Sequence, residues 1–61
     1  MKRLDLIRYL EDHGCEFFRE GGRHTVYVNR TVGKSTTIPR HREINEQLAR
    51  RICKDLDIPQ S

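Results

Sequence analysis

The chain has 61 residues, 34% of them apolar and 34% charged, enough for one thin hydrophobic core and no second domain. Twelve Lys and Arg against nine Asp and Glu give a net charge of +3. The length argues against an enzyme that must enclose a cofactor, and the charge favours an anionic partner.

Leu4, Leu6, Ile7, Tyr9 and Leu10 recur at helical spacing with Asp5, Arg8 and Asp12 opposite them, so residues 3–13 are expected to form an amphipathic helix. No capping residue marks its start. Gly14 is placed to stop it in a left-handed conformation, with His13 in the last turn complementing the helix dipole. Residues 15–19, short, aromatic and followed by Gly21-Gly22, predict a strand. Residues 24–29, rich in β-branched and aromatic types, predict a second strand close enough to form a hairpin with the first. A turn over 30–33 leads to a third strand at 35–38, closed by Pro39, which has no N–H to offer a ladder. Leu48, Ala49, Ile52 and Leu56 then share one side of a second helix that Asn45 can cap, with Arg50, Arg51 and Lys54 on the other side. Asp57-Ile58-Pro59 ends it, because the residue before proline avoids the helical region. Strands connected this closely predict an antiparallel meander, open on one face and covered by both helices on the other.

His13, Cys15, His24, His41 and Cys53 show no metal-ligand spacing, and Gly21-Gly22 is a bare turn rather than a phosphate-cradling loop. No metal and no small-molecule cofactor are therefore expected. Two cysteines are too few for a disulfide framework, which points to a reducing, cytoplasmic compartment and to two small buried hydrophobes. The basic N-terminus meets charge again before any apolar run of signal length, and no segment is long enough to span a membrane.

Nine of the twelve basic residues are Arg, a choice suited to bidentate contact with phosphate or carboxylate. Arg40, His41 and Arg42 crowd the loop before the second helix, where phosphate contact and plain solvation fit equally well. The Arg50, Arg51 and Lys54 face gains meaning only if the loop arginines share its side of the domain. His24 opens a strand after a flexible turn and titrates near neutrality when unperturbed, which suits proton transfer. Alternation also groups it with Val26 and Val28 as a partly buried strand histidine, the reading that spacing alone favours. Thr25 and Tyr27 fall on the other face, where Tyr27 is free to pack or to stack on a base.

From Leu6 to Ile58 the chain resembles the HicA (YcfA-like) family of messenger-RNA interferase toxins. The resemblance is carried by a first helix ending in Gly14, by Arg19, by Gly22-Arg23-His24 with Tyr27 three residues on, by Ile38-Pro39-Arg40-His41, and by the closing Leu48, Ile52, Leu56, Ile58 ladder. It implies one toxin domain over residues 1–61 with an α+β, double-stranded-RNA-binding-domain-like α-β-β-β-α fold: a three-stranded antiparallel sheet with two helices on one face. It implies that His24, matching the histidine of the family's Gly-Ser-His motif, is catalytic, reversing the preference from spacing. A HicB-type antitoxin would then cover that site. Two positions depart from the family pattern: Arg23 replaces the serine, and Cys15 the aromatic after the helix-ending glycine. An arginine beside His24 either binds phosphate or lowers the histidine pKa by like charge.

The mechanism this implies is metal-independent cleavage of messenger RNA, in which a 2'-hydroxyl attacks the adjacent phosphorus. His24 moves a proton, while Arg23, Arg40 or His41 stabilise the phosphorane and Arg42, Arg50, Arg51 and Lys54 hold RNA. The alternative is a non-catalytic RNA-binding module of the same fold. Against duplex binding, helix two begins Asn45-Glu46-Gln47-Leu48, where true double-stranded-RNA-binding domains carry lysines. A DNA-binding regulator ranks last, because three strands separate the helices.

Overall fold

The computed structural model describes residues 1–60. The elements follow in the order α1 (Arg3–Asp12), β1 (Glu16–Glu20), β2 (His24–Asn29), β3 (Lys34–Pro39) and α2 (Glu46–Asp55). The strands form one antiparallel sheet in the order β1-β2-β3, so β2 is central and both outer strands are edges. This is the α+β, double-stranded-RNA-binding-domain-like arrangement expected from the sequence.

Both helices end in the same device. At α1, the Gly14 N–H donates to the Glu11 carbonyl and the Cys15 N–H to the Leu10 carbonyl, with Gly14 at φ +87°. At α2, Asp57 and Ile58 repeat the pattern onto Lys54 and Cys53, with Asp57 at φ +58°. These are Schellman caps, and α2 uses aspartate where glycine is the usual residue. The stop thus comes from Asp57 itself, one residue before the constraint that Pro59 imposes on Ile58. Asn45 caps the start of α2, its Oδ1 accepting from the Leu48 N–H at 2.8 Å.

Leu6, Leu10, Ile38, Ile44, Ile52, Cys53 and Leu56 are fully buried, joined by Cys15, Tyr27 and Ala49. Leu4 is not among them and is 69% exposed. At ~100° per residue it lies about 200° round the helix from Leu6, beyond the arc that the sheet covers.

The two faces of β2 are assigned against simple hydropathy. Thr25, Tyr27 and Asn29 turn toward the helices and are buried, whereas His24 is exposed and Val26 and Val28 are half-buried on the open face. The polar side chains tolerate burial because each has a partner. Tyr27 Oη donates to Glu11 at 3.1 Å, Asn29 Nδ2 to the Leu56 carbonyl at 2.7 Å, and Thr36 of β3 donates to Asp55 at 3.2 Å. Tyr27 therefore packs, with its ring edge-on to Phe17, and has no surface left for a base. Between Phe17 and Arg19 the β1–β2 register slips by one residue, a β-bulge at Phe18.

Candidate functional site

His24 stands at the corner where the β1–β2 turn meets the end of β3, directly opposite Pro39 in the ladder. Its side chain is exposed on the open face, so the partly buried alternative does not hold. The Gly21 N–H closes the turn onto the His24 carbonyl at 2.8 Å. Arg23 is exposed beside it.

Beneath this corner a chain of hydrogen bonds links four elements. Arg3, at the start of α1, donates from Nε to the Pro39 carbonyl at 3.0 Å and from a terminal nitrogen to Thr25 Oγ1 at 2.8 Å. Guanidinium only donates, so the Thr25 hydroxyl spends its one proton on Glu20 Oε1, 2.8 Å away. The other Glu20 oxygen accepts from Arg40, whose same terminal nitrogen also donates to the Gly21 carbonyl at 3.1 Å. The Thr25 hydroxyl, chiefly, holds the Glu20 carboxyl below the usual carboxylate range. Desolvation opposes this, while Arg40 and Arg3 reinforce it.

Arg40 also faces a groove of about 670 Å³ lined by Lys2, Arg3, Leu4, Arg42 and Glu43. The groove is built by pairing the N-terminal segment with the loop before α2: a Lys2–Glu43 bridge, Arg3 N–H to the Arg42 carbonyl at 2.8 Å, and Ile44 N–H to the Met1 carbonyl at 2.7 Å. It gathers four cations and one carboxylate. That local excess of three positive charges matches the net charge of the whole chain. A polyanion is the ligand such a surface attracts.

The remaining predicted residues separate. His41 is exposed on the loop. Arg50, Arg51 and Lys54 line a second, shallower groove of about 440 Å³ with Asp55 and Gln60, and Arg50 leans toward Glu46 at 3.6 Å. The two arginine groups line different grooves. Spacing gave no signal for Lys2, Arg3, Glu20 or Thr25, which converge only through strand pairing and the N-terminal bridge. Among the described residues, no three His, Cys, Asp or Glu side chains gather as a metal-binding group. Nor, among them, is any helix long and apolar enough to cross a membrane. Cys15 and Cys53 are both buried, and burial, then the neighbouring Cys53, pushes the Cys15 pKa up.

The chain is thus an α-β-β-β-α domain with an exposed histidine at the start of its central strand and a groove that gathers four cations. More narrowly, a family model described as HicA toxin of bacterial toxin-antitoxin matches residues 4–58, and the chain belongs to that family. It is thus a toxin component of a toxin–antitoxin system. Comparison with curated proteins and with solved structures gave no match.

Proposed function

We propose that this toxin is a single-domain, metal-independent endoribonuclease acting on messenger RNA in the cytoplasm, with His24 as its proton-transfer residue. The observation that carries the reading is an exposed histidine at a strand end, paired across the ladder with Pro39, the residue before Arg40 of the basic groove. Phosphodiester cleavage needs both: a group that moves a proton, and fixed cations where charge builds on phosphorus. The ribose 2'-hydroxyl supplies the nucleophile, which restricts the reaction to RNA. Arg40 has five N–H donors and spends two on Glu20 and Gly21, leaving the others for phosphate. Arg42 and Lys2 extend the phosphate track. Arg23 and His41 flank it, and Arg50, Arg51 and Lys54 offer a separate contact for RNA beyond the cleaved bond.

The test is cleavage of messenger RNA by the purified protein in excess chelator. Cutting is expected to persist, and to stop when the nucleotide 5' of the cut carries 2'-deoxyribose. His24→Ala is expected to abolish cutting and growth arrest while leaving RNA affinity nearly unchanged, because the groove's four cations carry the attraction for phosphate. A His24→Ala protein that still cuts removes His24 from the mechanism. Retained binding with no cutting by the wild type would support the non-catalytic module instead.

Neutralisation follows from the same surface. An antitoxin of HicB type presenting acidic side chains to Arg23, Arg40 and Arg42 would displace RNA and cover His24. Co-expression is expected to restore growth and give a co-purifying complex with a higher melting temperature.

A further inference from the structure

Glu20 is out of place on a surface designed only to attract phosphate. Its carboxylate sits against Arg40, cancels part of the groove's positive charge, and repels the very ligand the arginines would hold. The chain of hydrogen bonds explains what is gained in exchange. Glu20 ends β1 and Thr25 follows His24 in β2, so a bond between their side chains pins both flanks of the turn that carries His24. The turn needs such a restraint. It contains Gly21-Gly22, Gly22 has no neighbouring atom within 4 Å of where a Cβ would lie, and among the described residues the exposed His24 ring has no hydrogen-bonding partner of its own. Arg40 locks the turn from the β3 side by bridging Glu20 and the Gly21 carbonyl, and Arg3 locks it from α1 through Thr25 and Pro39.

We propose that Glu20 is a positioning residue: clamped between Thr25 and Arg40, its carboxylate fixes the His24 turn in register with the basic groove. The proposal rests on the ribonuclease reading for its kinetic consequence, though not for its structural one. Glu20→Gln keeps an oxygen for the Thr25 hydroxyl but turns an amide toward Arg40. Misplacing a reacting group by about 1 Å costs on the order of a hundredfold in rate, so kcat is expected to fall about tenfold to a hundredfold. KM for RNA should stay level or drop, since a repelling charge has left the groove. A merely structural carboxylate would not separate the two constants in this way. Thr25→Val, which keeps the shape and deletes the hydroxyl, should reproduce the loss, and Thr25→Ser should restore kcat.

Amide hydrogen exchange at Gly21 supplies a readout that needs no activity. Its N–H is bonded to the His24 carbonyl and should exchange at least about tenfold faster in Glu20→Gln and Thr25→Val than in the wild type or Thr25→Ser. If the wild type cuts no RNA, the ribonuclease reading fails and exchange alone judges the clamp. If the wild type cuts and the folded Glu20→Gln and Thr25→Val proteins keep its kcat, the clamp is wrong and the ribonuclease reading stands. Unchanged Gly21 exchange in both variants overturns the proposal whatever the kinetics show.

Discussion

Two titratable side chains on the helix-facing side of the sheet bias stability in opposite directions with pH. The Glu20 carboxylate is held below its ordinary value of 4.5, mainly by the Thr25 hydroxyl. Its contribution is therefore complete above that value and is lost as pH falls through the lowered one. The melting-temperature gap between the wild type and Glu20→Gln is expected to close as acidification passes through that lowered value. The Tyr27 phenol is pushed above its ordinary value of 10.0, first by burial and then by the Glu11 carboxylate. Its contribution is complete below that value and is lost as pH rises through the raised one, so Tyr27→Phe should flatten the alkaline limb of a pH–stability curve. At neutral pH the deleted Glu11 hydrogen bond should cost about 1 kcal/mol. Asn29→Ala should cost more, about 1–3 kcal/mol by denaturant titration, because it strands the buried Leu56 carbonyl. None of these partnerships is legible in the sequence. Tyr27 and Glu11 are 16 positions apart, and Asn29 and Leu56 are 27 apart. Without its partner, each polar residue looks like a surface residue, while Val26 and Val28 look like core.

The helices were legible where their signals are local. Gly14 and Asn45 do what their residue types predict, since a left-handed cap and a side-chain cap each involve residues within a few positions of one another. Asn45→Ala should destabilise by about 1 kcal/mol. In a domain of this size that lowers Tm by about 4–8 °C in a thermal melt. Asp57 was legible only as part of a stop, because aspartate at positive φ is rarer than glycine and announces itself less. Asp57→Gly removes that conformational strain, roughly 1 kcal/mol or somewhat less, and should raise Tm. Asp57→Ala keeps the strain and should not. Leu4 misled for a different reason: a broad apolar arc fits the pattern of a core helix, but Leu4 lies at its far edge, about 200° from the buried Leu6.

Across the whole molecule, charge had a legible sum and an illegible address. The excess of three cations pointed to an anionic partner. Its concentration beside Arg40 depends on pairing residues 2 and 43 across the chain, which composition does not encode. The family resemblance could single out His24 because its motif is short and contiguous, whereas the hydrogen-bonded set of Arg3, Glu20 and Thr25 is scattered along the chain and leaves no such motif. The two arginine groups predict separable behaviour. Replacing Lys2 or Arg42 by Ala should weaken RNA binding and reduce the slope of log Kd against log salt by about one counterion each. Replacing Arg50 and Arg51 together should lower affinity while leaving kcat at saturating RNA intact. Filter binding over a salt series, paired with single-turnover cleavage, separates the two.

The extra residue at Phe18 solves a problem of parity. In a flat strand, Phe17 and Glu20, three positions apart, would point to opposite sides, yet both face the helices, opposite Tyr27 and Thr25, which are two positions apart. An odd interval on one strand is matched to an even interval on its neighbour, and the bulge absorbs the difference. Deleting Phe18 would make both intervals even and leave Glu20 opposite Thr25. A shortened chain should therefore still fold with its Glu20 carboxylate titrating below the usual range by NMR. Adding a residue back between Arg19 and Glu20 would instead swing Glu20 to the open face and set its charge loose.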